Sequence, residues 1–169
     1  ANLLAAQGVS VLVIDREAAM YHLPRAVHFD DEVMRVFQTV GIADDLLEKV
    51  RVNPGMKFVD DDDTLLLDWP RPQEITAHGW NASYRLHQPD LESLLRGKLA
   101  QAEHAEILTS FDVTALTQSD DCITLSGTAQ NGTSRTCQAR YLVGCDGANS
   151  LTRAVIGGGM DDLGFDERW

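Results

Sequence analysis

The pattern of apolar and polar positions predicts that helices and strands alternate in the first part of the chain. Residues 1–8 have the composition of a helix end, with Gly8 where a left-handed residue closes a helix. Residues 9–14 are apolar and rich in β-branched side chains, which is typical of a strand buried on both faces of a parallel sheet. A helix followed by such a strand indicates an α/β unit.

The next apolar pattern predicts a helix with a defined start and stop. Asp30 or Asp31 supplies the side chain that caps the N-terminus, and Gly41 ends the helix. The apolar positions repeat at the spacing of one helix face, and they are Val33, Val36, Phe37 and Val40. We therefore expect this face to be buried.

Most of the remaining elements are predicted to be strands. Residues 56–59 and 65–69 flank four aspartates at 60–63 and indicate a hairpin with a charged turn. No EF-hand pattern surrounds these aspartates, which favours a solvated turn over a metal site. Further strands are predicted over residues 83–87, 106–108, 113–118, 122–128 and 139–143, and further helices over residues 44–50 and 91–99.

Together these elements predict an α/β fold, a parallel sheet with added antiparallel hairpins. Asn131-Gly132 is a hairpin turn signal within the strand-rich part. Residues 54–87 are expected to form a β-rich insertion. No internal repeat and no low-complexity linker divides the chain.

Composition narrows the classes of function. The 169 residues include 26 acidic and 14 basic side chains, a formal charge of -12. This charge argues against nucleic-acid binding and against docking to an anionic membrane. The apolar runs are far shorter than the roughly 20 residues of a membrane span. Three cysteines without a CxxC pair indicate reduced thiols and a cytoplasmic protein.

The most informative motif is the stretch from 141 to 153, in which an apolar run leads into Gly-Cys-Asp-Gly and then a predicted helix. Small residues allow a ligand to approach the backbone, and a helix N-terminus offers N–H groups to a phosphate. Asp146 could accept a hydrogen bond from a ribityl or ribose hydroxyl, and Arg153 could meet a nucleotide's charge. The simple alternative is an Asp-Gly turn.

Asp15 is the second candidate, because it ends the first predicted strand. Dinucleotide-binding folds hold an adenosine ribose with an acidic residue at this place. Many strands also end in an aspartate that starts a turn. The five histidines are scattered without metal-ligand spacing, so no metal site is predicted.

These segments resemble the flavoprotein aromatic hydroxylases, the FAD-dependent monooxygenases of the p-hydroxybenzoate hydroxylase type. The resemblance covers nearly the whole chain and is carried by residues 9–16, 24–26, 87–92 and 144–153. It is closest to the 3-(3-hydroxyphenyl)propionate hydroxylases. It implies an incomplete Rossmann-like FAD-binding domain, without the family's GxGxxG motif and with a substrate domain expected to begin near residues 165–169.

The resemblance implies roles toward FAD for residues in the first half of the chain. Asp15, with Arg16 after it, corresponds to the acid that binds the adenosine ribose. Arg25 corresponds to an arginine along the FAD pyrophosphate, and Gln88 to a glutamine that contacts the flavin nucleotide. His28, three residues after Arg25, is expected either near the flavin ring or in a structural role.

In the second half, Val113 stands where the family presents a backbone group near the adenine. Asp146, Gly147 and Arg153 belong to a motif that touches FAD and is implicated in binding NAD(P)H. The implied reaction is hydroxylation of a phenolic substrate with O₂: NAD(P)H reduces FAD, and a flavin hydroperoxide attacks the ring ortho to its hydroxyl. No catalytic acid or base is identified, and a homodimer is one candidate for the assembly.

Three alternatives stay open at this point. The first is a flavin monooxygenase that tailors polyketides or antibiotics. The second is a truncated nucleotide-binding fragment without turnover. The third is a nicotinamide-only Rossmann dehydrogenase, which would leave the segments around Arg25, Gln88 and Asp146 unexplained.

Overall fold

The computed structural model describes residues 1–165, in which five helices and ten short strands are defined. The helices are α1 (Asn2–Ala6), α2 (Asp31–Val40), α3 (Ala43–Leu47), α4 (Gln88–Leu99) and α5 (Leu151–Val155). The strands are β1 (Val11–Ile14), β2 (His28–Asp30), β3 (Arg51–Val52), β4 (Gly55–Val59), β5 (Leu65–Pro70), β6 (Ser83–Arg85), β7 (Ala105–Leu108), β8 (Phe111–Gln118), β9 (Ile123–Ala129) and β10 (Ser134–Ala139).

The chain divides into two units, which we describe separately. Unit 1 comprises residues 1–13 and 19–107, and unit 2 comprises residues 14–18 and the chain from residue 108 onward. The predicted start of a substrate domain near residues 165–169 lies, apart from residue 165, outside the described residues.

The sheets combine one parallel pair with antiparallel strands, as the sequence predicts. In the β1–β7 pair, the amide of Val11 donates to the carbonyl of His104 and that of Asp15 to Leu108. Both partners advance by four residues, so the two strands are parallel. The other sheets, β2-β6-β3, β4-β5 and β10-β9-β8, are antiparallel.

The core of unit 1 is formed mainly by side chains of α2, α3 and β6, with side chains of α4 packed against it. Met34, Leu46 and Tyr84 are almost completely buried in it. The ring of Phe29, on β2, stacks on Tyr84 and meets the edge of Phe37, each at 5.3 Å between centroids. This packing holds β2 and α2 in place beside the loop that precedes β2.

Helix α2 begins where its sequence predicts. Asp30 is the N-cap, and its Oδ1 accepts a hydrogen bond from the amide of Val33. Gly41 ends the helix in the left-handed conformation, at φ 81°. The expected buried face is only partly correct, because Val33 and Val36 are 37% and 41% exposed. Met34 is buried in their place, so the buried face is rotated around the helix axis relative to the predicted one.

Two strand predictions are corrected by the structure. The strand β1 is half-buried rather than buried on both faces, with Leu12 39% exposed. Among residues 1–165 the last strand is β10, not residues 139–143. The Asn131-Gly132 turn pairs β10 with β9 from Ser134 onward, so the ladder is complete before the apolar run begins. Tyr141 and Val143, which suggested the strand, are 81% and 73% exposed.

The predicted hairpin of residues 56–59 and 65–69 is confirmed as β4 and β5, with a turn made by its aspartates. Oδ1 of Asp60 accepts hydrogen bonds from the amides of Asp62 and Thr64. This carboxylate therefore closes the turn, as expected for a solvated loop. Within residues 1–165 no helix is both long and apolar enough to cross a membrane.

Gly127 in β9 and Gly97 in α4 should respond in opposite ways to alanine. A Cβ at Gly127 would lie 2.2 Å from the carbonyl oxygen of Asp112 and 2.7 Å from the buried ring of Phe111. We expect Gly127→Ala to lower the free energy of unfolding by about 1–3 kcal/mol, as overpacking does. At Gly97 nothing lies within 4 Å. There, Gly97→Ala should raise the free energy of unfolding by about 0.5–1 kcal/mol, the gain in helix propensity.

Denaturant unfolding of the two variants and the unchanged protein measures both effects. Equal midpoints for Gly127→Ala and the unchanged protein would contradict the close approach of β9 to β8.

Candidate functional site

Gln88 joins the start of α4 to the loop that precedes β2. Its Oε1 accepts hydrogen bonds from the amides of Arg25, at 2.7 Å, and Ala26, at 2.9 Å. Pro89 follows in the first turn of the helix, where its missing N–H costs nothing. One side-chain oxygen thus satisfies two backbone donors that are 62 and 63 residues away in sequence. The loop around Arg25 depends on this contact.

The guanidinium of Arg25 carries a charge that no carboxylate in residues 1–165 neutralises by an ion pair. Its Cζ lies over the ring of Tyr21, 4.6 Å from the centroid. The amide nitrogen of Gln88 likewise has no hydrogen-bond partner among the described residues. The guanidinium is thus an available cation and the amide nitrogen an available N–H donor, and each suits an anionic ligand.

His28 is the third predicted residue in unit 1. It lies in β2, opposite Arg85 in β6, and is exposed. The structure shows no hydrogen bond of its imidazole in the described part of the chain. Its role near a flavin stays a prediction.

Asp146 organises the start of α5 in unit 2. Its Oδ1 accepts a hydrogen bond from the hydroxyl of Ser150 at 2.6 Å. Its Oδ2 accepts from the amide of Thr152 at 3.0 Å and from the hydroxyl of Thr152 at 3.2 Å. The Oγ of Ser150 accepts in turn from the amide of Arg153, at 2.9 Å, as the helix N-cap. Two side chains therefore satisfy two of the helix's unpaired N–H groups.

These contacts keep Asp146 ionised. The hydrogen bond from Ser150, followed by that from the backbone of Thr152, lowers the pKa of Asp146 from 3.8 to about 2. A carboxylate offers about four acceptor positions. Three hydrogen bonds, one from Ser150 and two from Thr152, are formed here.

The neighbours of Asp146 add to this site. Gly147 has φ 77°, which favours glycine, and a Cβ there would meet no atom within 4 Å. The guanidinium of Arg153 turns back and donates to the carbonyl of Ala148. Unit 2 therefore brings together Asp146, Gly147 and Arg153, the predicted residues of one motif.

Asp15 and Arg16 follow β1 in the part of the chain assigned to unit 2. The backbone of Asp15 pairs on both sides, since its amide donates to Leu108 and its carbonyl accepts from Phe111. Its Oδ1 accepts a hydrogen bond from the amide of Glu17. Asp15 therefore starts a turn, which is the alternative to ribose binding. Arg16 pairs with Glu17 at 3.2 Å on the surface. The geometry leaves ribose binding by Asp15 a prediction.

Val113 lies half-buried in β8, next to a bulge in the pairing with β9 between Val113 and Ala115. A bulge interrupts the ladder and changes the direction of backbone groups locally. This is compatible with a backbone contact to a ligand.

Two contributors to the site were not found from the sequence. Ser150 directly precedes α5 at its N-cap, and a serine at this place is a recognisable sequence signal. Tyr21 lies in a loop without periodicity, and only its distance to Arg25 in space identifies it.

Comparison with known families shows which family the chain belongs to. A family model described as the FAD binding domain matches residues 1–164. This chain belongs to that FAD-binding family. The resemblance to flavin-dependent hydroxylases and the α/β fold expected from it are thereby confirmed, and FAD is the cofactor of this type of domain.

Two curated proteins are similar to this chain over its whole length. A protein named probable NADH-specific resorcinol 4-hydroxylase from Rhodococcus jostii (strain RHA1) is 41% identical over 172 residues, covering 100% of this chain and 32% of the relative. A 3-(3-hydroxy-phenyl)propionate/3-hydroxycinnamic acid hydroxylase from Mycobacterium sp. (strain JLS) is 31% identical, covering 100% of this chain and 29% of the relative. The FAD-binding chain therefore spans about a third of these curated relatives.

A solved structure shows the same fold. The flavin-dependent monooxygenase PieE, crystallised with FAD and substrate, superposes with a TM-score of 0.81 at 22% identity. The match covers 92% of this chain and 29% of PieE.

The residues present fit the cofactor in their chemistry. FAD has a pyrophosphate, which needs cations and N–H donors, and hydroxyl groups, which need acceptors. In unit 1, Arg25 and the amide nitrogen of Gln88 are groups of the first kind, and in unit 2 the ionised carboxylate of Asp146 is a group of the second kind. No group of three or more His, Cys, Asp or Glu that could hold a metal is found in the described residues.

The capping role of Asp146 predicts a pH dependence. Because its pKa is about 2 in the folded state and higher in the unfolded chain, its contribution is fully present above pH 4. It is lost as the pH falls from about 4 towards 2. We expect Asp146→Asn to be less stable at pH 6 and to lose less stability between pH 5 and pH 3.

Urea unfolding at several pH values measures this difference in slope. A matched control is Asp45→Asn, which changes an acid in the first turn of α3. Identical pH slopes in Asp146→Asn and the unchanged protein would contradict the network.

Proposed function

We propose that the protein containing this chain is an FAD- and NAD(P)H-dependent monooxygenase that hydroxylates a phenolic aromatic ring with O₂. The observation that carries the proposal is the contact of Gln88 with the backbone of Arg25, whose guanidinium has no ion pair among the described residues, in a chain of the FAD-binding family. The names of the two curated relatives, a resorcinol hydroxylase and a hydroxyphenylpropionate hydroxylase, support the phenolic substrate.

In this proposal the residues of unit 1 bind the charged part of the cofactor. Arg25 meets the pyrophosphate, and the amide nitrogen of Gln88 donates to the same nucleotide. The carbonyl oxygen of Gln88 holds the loop, so this residue has two tasks. His28 stands near the flavin ring.

The residues of unit 2 bind the polar parts of FAD. Asp146 accepts a hydrogen bond from a hydroxyl, Gly147 lets the ligand approach the backbone, and Arg153 meets negative charge of FAD or NAD(P)H. Asp15 with Arg16 takes the adenosine ribose, and a backbone group at Val113 lies near the adenine.

FAD, once bound, supplies the redox chemistry with NAD(P)H and O₂. This chain's own residues bind the cofactor, orient it and hold Asp146 ionised. The groups that contact the phenol are proposed to lie in a substrate domain, and residues 54–87 to form a β-rich insertion. We further propose a cytoplasmic protein with reduced thiols, consistent with the three free cysteines in the described residues, and a homodimer as its assembly.

The activity is tested with the full-length protein reconstituted with FAD. Resorcinol or 3-(3-hydroxyphenyl)propionate should accelerate NAD(P)H oxidation, and the product should gain one oxygen atom from ¹⁸O₂. The matched control is the same ring without its hydroxyl, 3-phenylpropionate, which should not be hydroxylated.

Two results would contradict the proposal. A full-length protein that cannot be loaded with FAD would remove its basis. Oxygen incorporation into a polycyclic polyketide, with none into simple phenols, would favour the antibiotic-tailoring alternative.

Arg25→Ala should weaken FAD binding by about tenfold or more, because a charge-assisted hydrogen bond contributes about 1.5–3 kcal/mol. The control is Arg71→Ala, since Arg71 also lies over an aromatic ring, that of Trp69 at 4.8 Å, but in the β4–β5 hairpin. Quenching of FAD fluorescence on titration with apoprotein measures both dissociation constants. Equal affinity in Arg25→Ala and the unchanged protein would rule out the proposed role.

A further inference from the structure

The loop that carries Arg25 also brings an aromatic ring onto its guanidinium. The 4.6 Å between Cζ of Arg25 and the centroid of Tyr21 is inside the roughly 6 Å range of cation–π attraction. The two residues are four apart, but residues 15–27 contain no helix or strand. The contact is therefore not a consequence of helical spacing, and the loop has to bend to make it.

Tyr21 uses its ring face for this contact. Its hydroxyl has no hydrogen bond among the described residues, and the side chain is about half exposed. The imidazole of His22 lies 5.4 Å from the ring, tilted by 48°. The ring is thus contacted by a neighbouring side chain as well as by the arginine.

The backbone of Arg25 is held in place, but the groups that hold it do not restrain its side chain. Gln88 fixes its backbone amide through Oε1, and Pro24 restricts the chain just before it. Neither contact restrains the long side chain. A free arginine side chain loses much rotamer freedom when its guanidinium binds a ligand, which weakens binding.

We propose that Tyr21 is a positioning residue that holds the guanidinium of Arg25 ready for the pyrophosphate of FAD. The inference rests on the proposed function, in which Arg25 meets that group. Tyr21 itself does not touch the phosphate. It acts by reducing the conformational freedom that Arg25 would otherwise lose on binding.

The test is a double-mutant cycle on the full-length apoprotein, with the dissociation constant of FAD measured by fluorescence quenching. Tyr21→Leu removes the ring face and should weaken FAD binding about two- to fivefold, the range of an exposed cation–π contact. Tyr21→Phe keeps the face and should bind like the unchanged protein. In an Arg25→Ala background, Tyr21→Leu should have no further effect.

The control is Trp69→Leu. This change removes the ring of β5 that lies beneath the Arg71 guanidinium, and it should leave FAD affinity unchanged. Thermal unfolding of each apoprotein shows whether the variant is folded. If Tyr21→Leu does not fold, the FAD affinity of Tyr21→Phe still tests the inference. Unchanged affinity in a folded Tyr21→Leu would overturn the inference. So would a loss in Tyr21→Phe, or an equal loss in the Arg25→Ala background. In all three cases the unchanged protein still binds FAD, which separates this failure from a failure of the proposed function.

Discussion

The structure of the candidate site depends on the two hydrogen bonds accepted by one oxygen atom of Gln88. They tie the amides of Arg25 and Ala26, in an irregular loop, to the first residue of α4. These amides are exposed, so water could also satisfy them, and the contact with Gln88 serves to fix the conformation of the loop. The acceptor from α4 thereby places the backbone of the arginine. In the proposed site, this fixed backbone determines where the charge of Arg25 can reach.

The second constraint is electrostatic. A protein with a formal charge of -12 repels phosphate groups on average, so an anionic cofactor needs local positive charge. Several other arginines are occupied: Arg16 pairs with Glu17, and Arg96 with Glu92. Arg25 rests instead on a tyrosine ring, which leaves its charge available. Asp146 is the opposite case: its pKa of about 2 keeps the carboxylate ionised near neutral pH, and we propose that it accepts a hydrogen bond from a hydroxyl group of the cofactor.

The sequence predicted the parts of the fold that local signals encode. Asp30 and Gly41 mark the ends of α2 by their capping chemistry, and the charged hairpin follows from its aspartates. The position of β10 could not be predicted in this way, because its polar residues form a strand only through their pairing with β9. The apolar run at 141–143 was misleading for the same reason. For the site, motifs identified Arg25, Gln88 and Asp146, whereas the ring of Tyr21 is recognisable only in three dimensions.

The central claim is that Arg25 and Gln88 form the pyrophosphate-binding part of an FAD site. A crystal structure of the full-length protein with FAD tests this directly. The account predicts pyrophosphate oxygens within hydrogen-bond distance of the Arg25 guanidinium and the Gln88 amide nitrogen, with Oε1 of Gln88 still bonded to the loop. Bound FAD whose pyrophosphate contacts neither side chain would contradict it.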